Sequence, residues 1–228
     1  MKTHESIGIG TVYGWVQTSY TFIMVNLCFV AANLLFLFFF LTLNQTSSNS
    51  WIYYAALLPA GPSIYALLRT MDAFIRGGEV APARSFWQNI RRNVRESSTN
   101  WLVMITVAFL LGADIFYLNG SSLPGKMIGS AALLVILIIW MLVSMNVLII
   151  QTRFTFQKKA LWRLSAYYLA EKWKTAIVNV CLVAVGIGLL AATSGFSILF
   201  TFSITAFFVM KNSQMMMEDI QKRFVKKG

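Results

Sequence analysis

Few side chains in this sequence could do chemistry, and the first group lies in the stretch LPAGPSI at residues 58–64. Two prolines, a glycine and a serine interrupt an apolar run there. Proline removes an N–H donor and crowds the preceding turn, so it kinks or breaks a helix. In a membrane the freed carbonyls need partners, and broken helices can form ion or substrate sites. The candidate residues are Pro59, Gly61, Pro62 and Ser63.

Other structural explanations of this break stay open. It equally suits a packing kink in which Gly61 lets two helices approach closely. A helix that begins near Pro62, after a re-entrant or interfacial segment from Trp51, is a third possibility because proline is favoured in a first helical turn.

Asp114 is a second candidate, since an ionisable residue in a membrane span is functional by default. It lies toward the end of its apolar run, where its carboxylate could simply reach water or, if protonated, bond to another helix. Together with Pro59–Ser63 it would suit a water-filled path in a small carrier or channel.

Catalysis finds little support in the sequence. The single histidine is His4, and neither HExxH, GxSxG nor a phosphate loop ending in Gly-Lys-Ser/Thr is present. Cys28 and Cys181 lie in apolar runs that disfavour thiolates. A lipid-modifying enzyme would need clustered polar groups at one depth, which the sequence does not show. We therefore expect no enzymatic activity, no cofactor and no metal site.

These candidates must be positioned by membrane helices. The chain is 57% hydrophobic and 12% charged, with a mean hydropathy of +0.66, whereas soluble domains have about 45–50% apolar and about 25% charged residues. About 20 apolar residues cross a bilayer. The sequence predicts an all-α, polytopic helical bundle with six transmembrane helices, over residues 20–43, 51–69, 101–119, 127–151, 175–193 and 195–211.

The basic residues predict the orientation. With these six spans, every lysine and arginine except Lys126 falls on one side, which the positive-inside rule makes cytoplasmic. Both termini are then cytoplasmic. The net charge of +11 would meet anionic headgroups of the lipid bilayer, so we expect no nucleic acid partner. The predicted location is a bacterial plasma membrane.

A short internal match predicts a repeat. VNLCFVA at 25–31 resembles VNVCLVA at 178–184, and Asn26, Asn100 and Asn179 each lie near the start of an outward span. A single membrane domain, 1–228, would contain units of about 1–75, 76–152 and 153–228. Hydrophobic segments also resemble one another by composition alone.

Each unit begins with an aromatic-rich segment: residues 12–20, 85–94 and 161–173. These segments suit either interfacial amphipathic helices or ordinary loop helices packed on the protein. In the second of them we predict a cytoplasmic docking surface of Phe86, Trp87, Arg91, Arg92 and Arg95.

Two further sets of residues predict helix packing. Asn33, Ser144 and Asn146 lie within spans, where we expect interhelical hydrogen bonds. Ala184, Gly188 and Ala192 are four residues apart and favour close helix approach.

Four stretches together resemble the YesL-like family of bacterial membrane proteins over about residues 20–120. They are NLLFLFFFL (33–41), LLPAGPSIYALLRTM (57–71), RGGEVAPARSFWQNIRRNV (76–94) and GADIFYL (112–118). Pro-Ala-Gly-Pro-Ser stands here in place of a Thr-Ile/Leu-Gly-Pro-Ala type of sequence. The resemblance implies an integral membrane protein of a family that has no established activity and is associated with carbohydrate uptake and breakdown systems.

The sequence therefore favours a non-enzymatic accessory or regulatory membrane protein beside a carbohydrate transport system, contacting sugar transporter permease or sensor subunits. The alternative is a small independent membrane carrier or channel that uses the broken second helix and Asp114.

Overall fold

The computed structural model describes residues 3–44, 46, 49–77, 81–122, 124–192, 198 and 200–225, with residues 3–13 and 225 as backbone only. This part of the chain is helical, and no strand occurs within it. The helices are α1 (Thr3–Ala32), α2 (Leu34–Thr42), α3 (Ser50–Leu57), α4 (Ala60–Ile75), α5 (Pro82–Gly120), α6 (Lys126–Ile150), α7 (Lys158–Glu171), α8 (Trp173–Ala192), α9 (Thr201–Asn212) and α10 (Gln214–Ile220), followed by a π-helical turn (Gln221–Val225).

The lengths and compositions of several helices fit a membrane protein. Within the described ranges, four helices are long and apolar enough to cross a bilayer: Gly14–Ala32 of α1, α5, α6 and α8. Helices α3 and α4 pass the same test only as a pair, which is bent by 45° as in a broken span or a re-entrant loop. The predicted sixth run, 195–211, is represented by α9, which has 12 residues. The predicted hairpin turn at 193–195 lies outside the described residues.

The first predicted span, 20–43, is not one helix. The chain turns at Asn33 (φ −110°, ψ 17°), between α1 and α2. Asparagine competes for helical backbone groups, and the Asn33 side chain donates both to the Phe29 carbonyl and to Ser63 Oγ, each at 2.8 Å. The leading segment 12–20 is not a separate helix either, because α1 runs through it without a break.

The other two leading segments pack on the protein. Residues 85–94 are continuous with the third span in α5, which has 39 residues and a kink at Asn93 (φ −129°, ψ 17°). Helix α7 packs against α6 and buries Leu161, Ser165 and Tyr168. Both segments thus bury apolar side chains within the bundle, as ordinary packed helices do.

Helix α4 is the central helix of the bundle. It packs against α1, α5 and α9, and most of its residues from Ala60 to Asp72 are buried. The core continues from Val25 in α1 to Ile220 in α10. The N-terminal and C-terminal thirds of the chain therefore share one hydrophobic core.

One end of the bundle carries most of the charged contacts, and we call it the basic end. Here α4, α6 and α9 finish next to Arg76, Arg153 and Lys211.

The three asparagines of the predicted repeat are buried. Asn100 donates to Gln151 Oε1 at 3.0 Å and Asn179 donates to Ser213 Oγ at 2.9 Å, while Asn26 Oδ1 accepts from the Ser203 backbone N–H at 3.2 Å. Each asparagine thus joins its helix to another one.

The predicted small-residue face of α8 does not pack. Ala184, Gly188 and Ala192 are exposed, and a Cβ added to Gly188 would meet nothing within 4 Å. Gly186 packs closely against α9 instead, because a Cβ added at Gly186 would lie 2.5 Å from Thr205 Oγ1. Four-residue spacing therefore identified the wrong side of α8.

Candidate functional site

The chain breaks where LPAGPSI predicts. Helix α3 ends at Leu57 and α4 begins at Ala60, so the Leu57 carbonyl lacks its normal helical donor. Trp101 Nε1 donates to that carbonyl at 2.8 Å. Ser63 Oγ donates to the Ala60 carbonyl at 2.7 Å and accepts from Asn33 Nδ2. Side chains of the protein thus provide the partners that a membrane requires at a break.

Gly61 is the point where α5 comes closest to α4. A Cβ there would lie 2.8 Å from Trp101 Cδ1 and nearer still to the Cβ and Cγ of that residue. Only glycine fits this approach, as a helix-packing role for Gly61 requires.

The predicted site residues do not converge. Gly61, Pro62 and Ser63 are buried and Pro59 is exposed, whereas Asp114 is exposed on α5. Asp114 has no hydrogen bond or ion pair with any described residue. A water-filled path joining Asp114 to the break is therefore not present in the described bundle.

Instead the bundle contains a cavity of about 990 Å³, the main cavity, between α3, α4, α5, α6, α8 and α9. Its wall includes Leu57 and Ile64 on either side of the break, but none of Pro59, Gly61, Pro62, Ser63 and Asp114. At its inner end, toward the basic end, are Leu68, Leu148 and Val209. The break therefore shapes one wall of the cavity without contributing its polar groups.

The walls of the main cavity are mainly aliphatic and aromatic, and no charged residue lines it. Both of its tyrosines already have bonded hydroxyls: Tyr53 donates to the Leu43 carbonyl and Tyr54 contacts Thr106, each at 2.8 Å. The buried Ser144 hydroxyl has no partner among the described residues, so the interhelical bond predicted for it is absent. Such walls suit an apolar occupant better than a sugar or an ion.

A buried ionic cluster lies at the basic end, where three helices finish. We call it the basic-end cluster, and it consists of Asp72, Arg153 and Gln214. The Asp72 carboxylate is 1% exposed. Arg153 donates to both of its oxygens, with an Nε to Oδ2 distance of 3.2 Å. Gln214 Nε2 donates to Oδ1 at 3.1 Å, and its Oε1 accepts from Arg153 at 2.8 Å.

The basic-end cluster was missed from the sequence. Asp72 and Arg153 fall just beyond the ends of predicted spans, where a charge is usually solvated. The pairs Asp72–Arg153 and Asp72–Gln214 span 81 and 142 residues, and no local pattern in the sequence indicates them. The cluster ties the first predicted unit, which contains Asp72, to the third, which contains Arg153 and Gln214.

A second ionic group holds the C-terminal helix on α7. Tyr168 donates to Asp219 Oδ2 at 2.7 Å, and Arg223 contacts Asp219 at 2.9 Å and Glu171 at 3.0 Å. Burial, then the hydrogen bond to Asp219, raises the pKa of the Tyr168 hydroxyl. That hydrogen bond, helped by Arg223, lowers the pKa of the Asp219 carboxyl below its usual range.

Tyr168→Phe is expected to lower the free energy of unfolding at neutral pH by about 1 kcal/mol, the size of one partly exposed hydrogen bond to a charged group. Because the pKa of Asp219 is lowered on folding, its contribution is present above the unfolded carboxyl pKa of about 3.9 and is lost as the pH falls through the folded value. Unfolding in detergent of wild type and variant at several pH values checks this. Tyr167→Phe is the matched control, because the neighbouring Tyr167 is 49% exposed. The free energies of unfolding of wild type and Tyr168→Phe should converge at low pH. If their difference stayed constant below pH about 3, the Tyr168–Asp219 hydrogen bond would not be its cause.

The predicted docking surface is reduced by one residue. Phe86 is 0% exposed and belongs to the core, so it cannot contact a partner. Trp87, Arg91, Arg92 and Arg95 are exposed. Arg92, Arg95 and Lys158 also surround a recess of about 430 Å³ at the Asn93 kink. None of these cations makes an ion pair with a described residue. We call Trp87, Arg91, Arg92, Arg95 and Lys158 the α5 basic surface.

Among the described residues, no group of three or more histidine, cysteine and carboxylate side chains could hold a metal ion. Cys28 is buried and Cys181 is exposed, and both are free thiols.

Residues 22–115 match the model of a family described as a protein of unknown function, DUF624. No curated protein and no solved structure matches the chain. The matched part contains the break at Pro59 and Asp72, and it ends before Arg153 and Gln214 contribute to the basic-end cluster.

Proposed function

We propose that this chain is a non-enzymatic accessory or regulatory protein of the bacterial plasma membrane, working beside a carbohydrate transport system. The observation that carries the proposal is the α5 basic surface, where exposed cations lack partners within the described bundle. Exposed, unpaired charges favour recognition of a partner of opposite charge. The carbohydrate context rests on the resemblance to the YesL-like family, whose membership we propose for this chain.

The proposed topology has six spans with both termini in the cytoplasm. The positions of lysine and arginine support it, as does the convergence of α4, α6 and α9 on one end. The basic end is then cytoplasmic, and the α5 basic surface faces the cytoplasmic parts of a permease or sensor subunit.

The main cavity favours a second candidate function, an independent carrier. The apolar wall of the cavity suits an apolar solute. Such a carrier would not use Asp114, because Asp114 lies outside the cavity. Asp114→Asn should then leave transport unchanged. The basic-end cluster favours the accessory function instead. It joins three helix ends, and it thereby restrains the rocking of repeats that carriers use.

Photo-crosslinking in cells, from an unnatural amino acid at Arg91, is expected to capture a transporter permease or sensor subunit. The same amino acid at Asp114, exposed on the other half of α5, is the control. Recovery of lipid alone from Arg91 would contradict the accessory function.

Charge reversal tests the same surface. Arg91→Glu with Arg95→Glu is expected to reduce the partner recovered by affinity purification at least tenfold, equivalent to about 1.4 kcal/mol. Lys174→Glu with Lys211→Glu changes the net charge equally at exposed positions outside the α5 basic surface. If both pairs of substitutions reduced the recovered partner equally, binding would depend only on the net charge of the chain and the α5 basic surface would not be the contact.

A further inference from the structure

The main cavity is too large and too apolar to be a packing defect. Protein interiors contain few voids larger than a water molecule, whereas this recess, which opens to the bundle surface at Trp51, Phe116 and Ile187, has about 990 Å³. A stable buried water needs two to four polar partners. Tyr53, Tyr54 and Trp101 use their polar atoms within the protein, which leaves isolated hydroxyls such as that of Ser144. The cavity therefore calls for an occupant with an apolar surface.

The main cavity is also long. Its lining residues on α5 run from Trp101 to Phe116, which at 1.5 Å per residue is about 22 Å along the helix axis. The hydrocarbon core of a bilayer is about 30 Å thick. An occupant that fills this slot is therefore extended and reaches deep into the membrane.

The entrance lies away from the basic end. Trp51, Phe116 and Ile187 line the cavity and are also exposed on the bundle surface, at 67%, 67% and 63%. Apolar residues exposed on a membrane bundle face lipid chains, and tryptophan and tyrosine gather at the headgroup level. This entrance therefore contacts the hydrocarbon chains of membrane lipids.

We propose that the main cavity binds one long hydrocarbon chain of a membrane lipid, whose headgroup stays near Trp51 while the chain extends to Leu148. Filling the slot gives the cavity walls dispersion contacts with the chain, which restores the packing that an empty cavity lacks. The exposed lining residues Trp51, Phe116 and Ile187 lie away from the basic end, so the chain enters and leaves by the Trp51 side. This proposal does not depend on the accessory function.

The test uses Gly112, because it lines the cavity and a Cβ there would meet nothing within 4 Å. Gly112→Leu therefore fills the slot without a clash and improves helix propensity. Gly188→Leu is the matched control, since Gly188 is equally unobstructed but exposed on the outside of α8. Ala108→Phe, at another lining position, serves as the second variant if Gly112→Leu lowers the melting temperature.

The full chain is placed in nanodiscs of phosphatidylethanolamine and phosphatidylglycerol with a trace phospholipid that carries a photoreactive diazirine at its chain end. In wild type we expect labelling of Met145 and Leu148, mapped by mass spectrometry. Gly112→Leu should lower it at least tenfold, equivalent to about 1.4 kcal/mol, and Gly188→Leu should leave it unchanged. Native mass spectrometry of the full chain purified from cell membranes then distinguishes a bound acyl chain from a prenyl chain. Equal labelling in wild type and Gly112→Leu, or labelling only on exposed faces such as Ile139, would overturn the proposal.

Discussion

Arg153→Met is expected to lower the free energy of unfolding by about 3–5 kcal/mol, the usual cost of leaving a buried charge without its partner. The Asp72 carboxylate is 1% exposed and receives two of its hydrogen bonds from Arg153. Methionine fills much of the same volume, so the loss reports the charge rather than a cavity. Arg76 Nε, 3.2 Å from Asp72 Oδ2, remains as a partial partner and places the expected loss near the lower end of this range.

Two variants separate this effect from general sensitivity of the basic end. Arg76 also contacts Asp72, but its side chain is 55% exposed, so Arg76→Met should cost at most about 1 kcal/mol. Asp72→Asn combined with Arg153→Met removes the uncompensated charge and should recover much of the stability. Reversible unfolding in mixed micelles measures all of them. If Arg153→Met were no more harmful than Arg76→Met, the buried pair would not hold the three helix ends together.

Gly61→Ala is expected to lower the free energy of unfolding by about 1–3 kcal/mol, because the added methyl group overlaps Trp101 and pushes α4 away from α5. The shift would also weaken the hydrogen bond from Trp101 to the Leu57 carbonyl. Gly188→Ala, where a Cβ meets no atom within 4 Å, should instead be stabilising by up to about 1 kcal/mol through helix propensity.

A double-mutant cycle assigns the effect of Gly61→Ala to this one contact. Trp101→Ala alone removes a large side chain and a hydrogen bond, and should be destabilising. In the Trp101→Ala background, however, Gly61→Ala no longer creates an overlap. The two changes should therefore cost less together than the sum of their separate costs, by about 1 kcal/mol or more. Additive costs would mean that Gly61 acts through some other neighbour.

Properties that depend on local sequence could be predicted well. Pro59 and Pro62 fix the break between α3 and α4, because each lacks the backbone N–H that an unbroken helix needs at its position. Helix α6 agrees with its predicted run within one residue at each end, because a continuous apolar segment in a membrane has little choice but to be helical. Gly61 was predicted to allow close helix approach, and the contact with Trp101 confirms it.

Properties that depend on distant contacts could not be predicted. Phe86 and Trp87 are neighbours of similar type, yet Phe86 is fully buried and Trp87 is 42% exposed, and only the packing of α5 on the bundle distinguishes them. Asp114 was expected to share a site with the break, whereas it is exposed and is not among the residues that line the main cavity. Asp72 and Arg153 looked like solvated charges, because pairing across 81 residues leaves no local pattern.

The basic-end cluster has a consequence for how the chain is made. Asp72 leaves the ribosome 81 residues before Arg153 and 142 residues before Gln214. At about 5–20 residues per second, the first delay alone is about 4–16 s. During that interval Asp72 has only the exposed Arg76 as an ionic partner, and water must hydrate the rest of its carboxylate. Burial of α4 in the centre of the bundle therefore waits for the second and third hairpins, and a chain released early would retain an exposed carboxylate that membrane quality control could recognise.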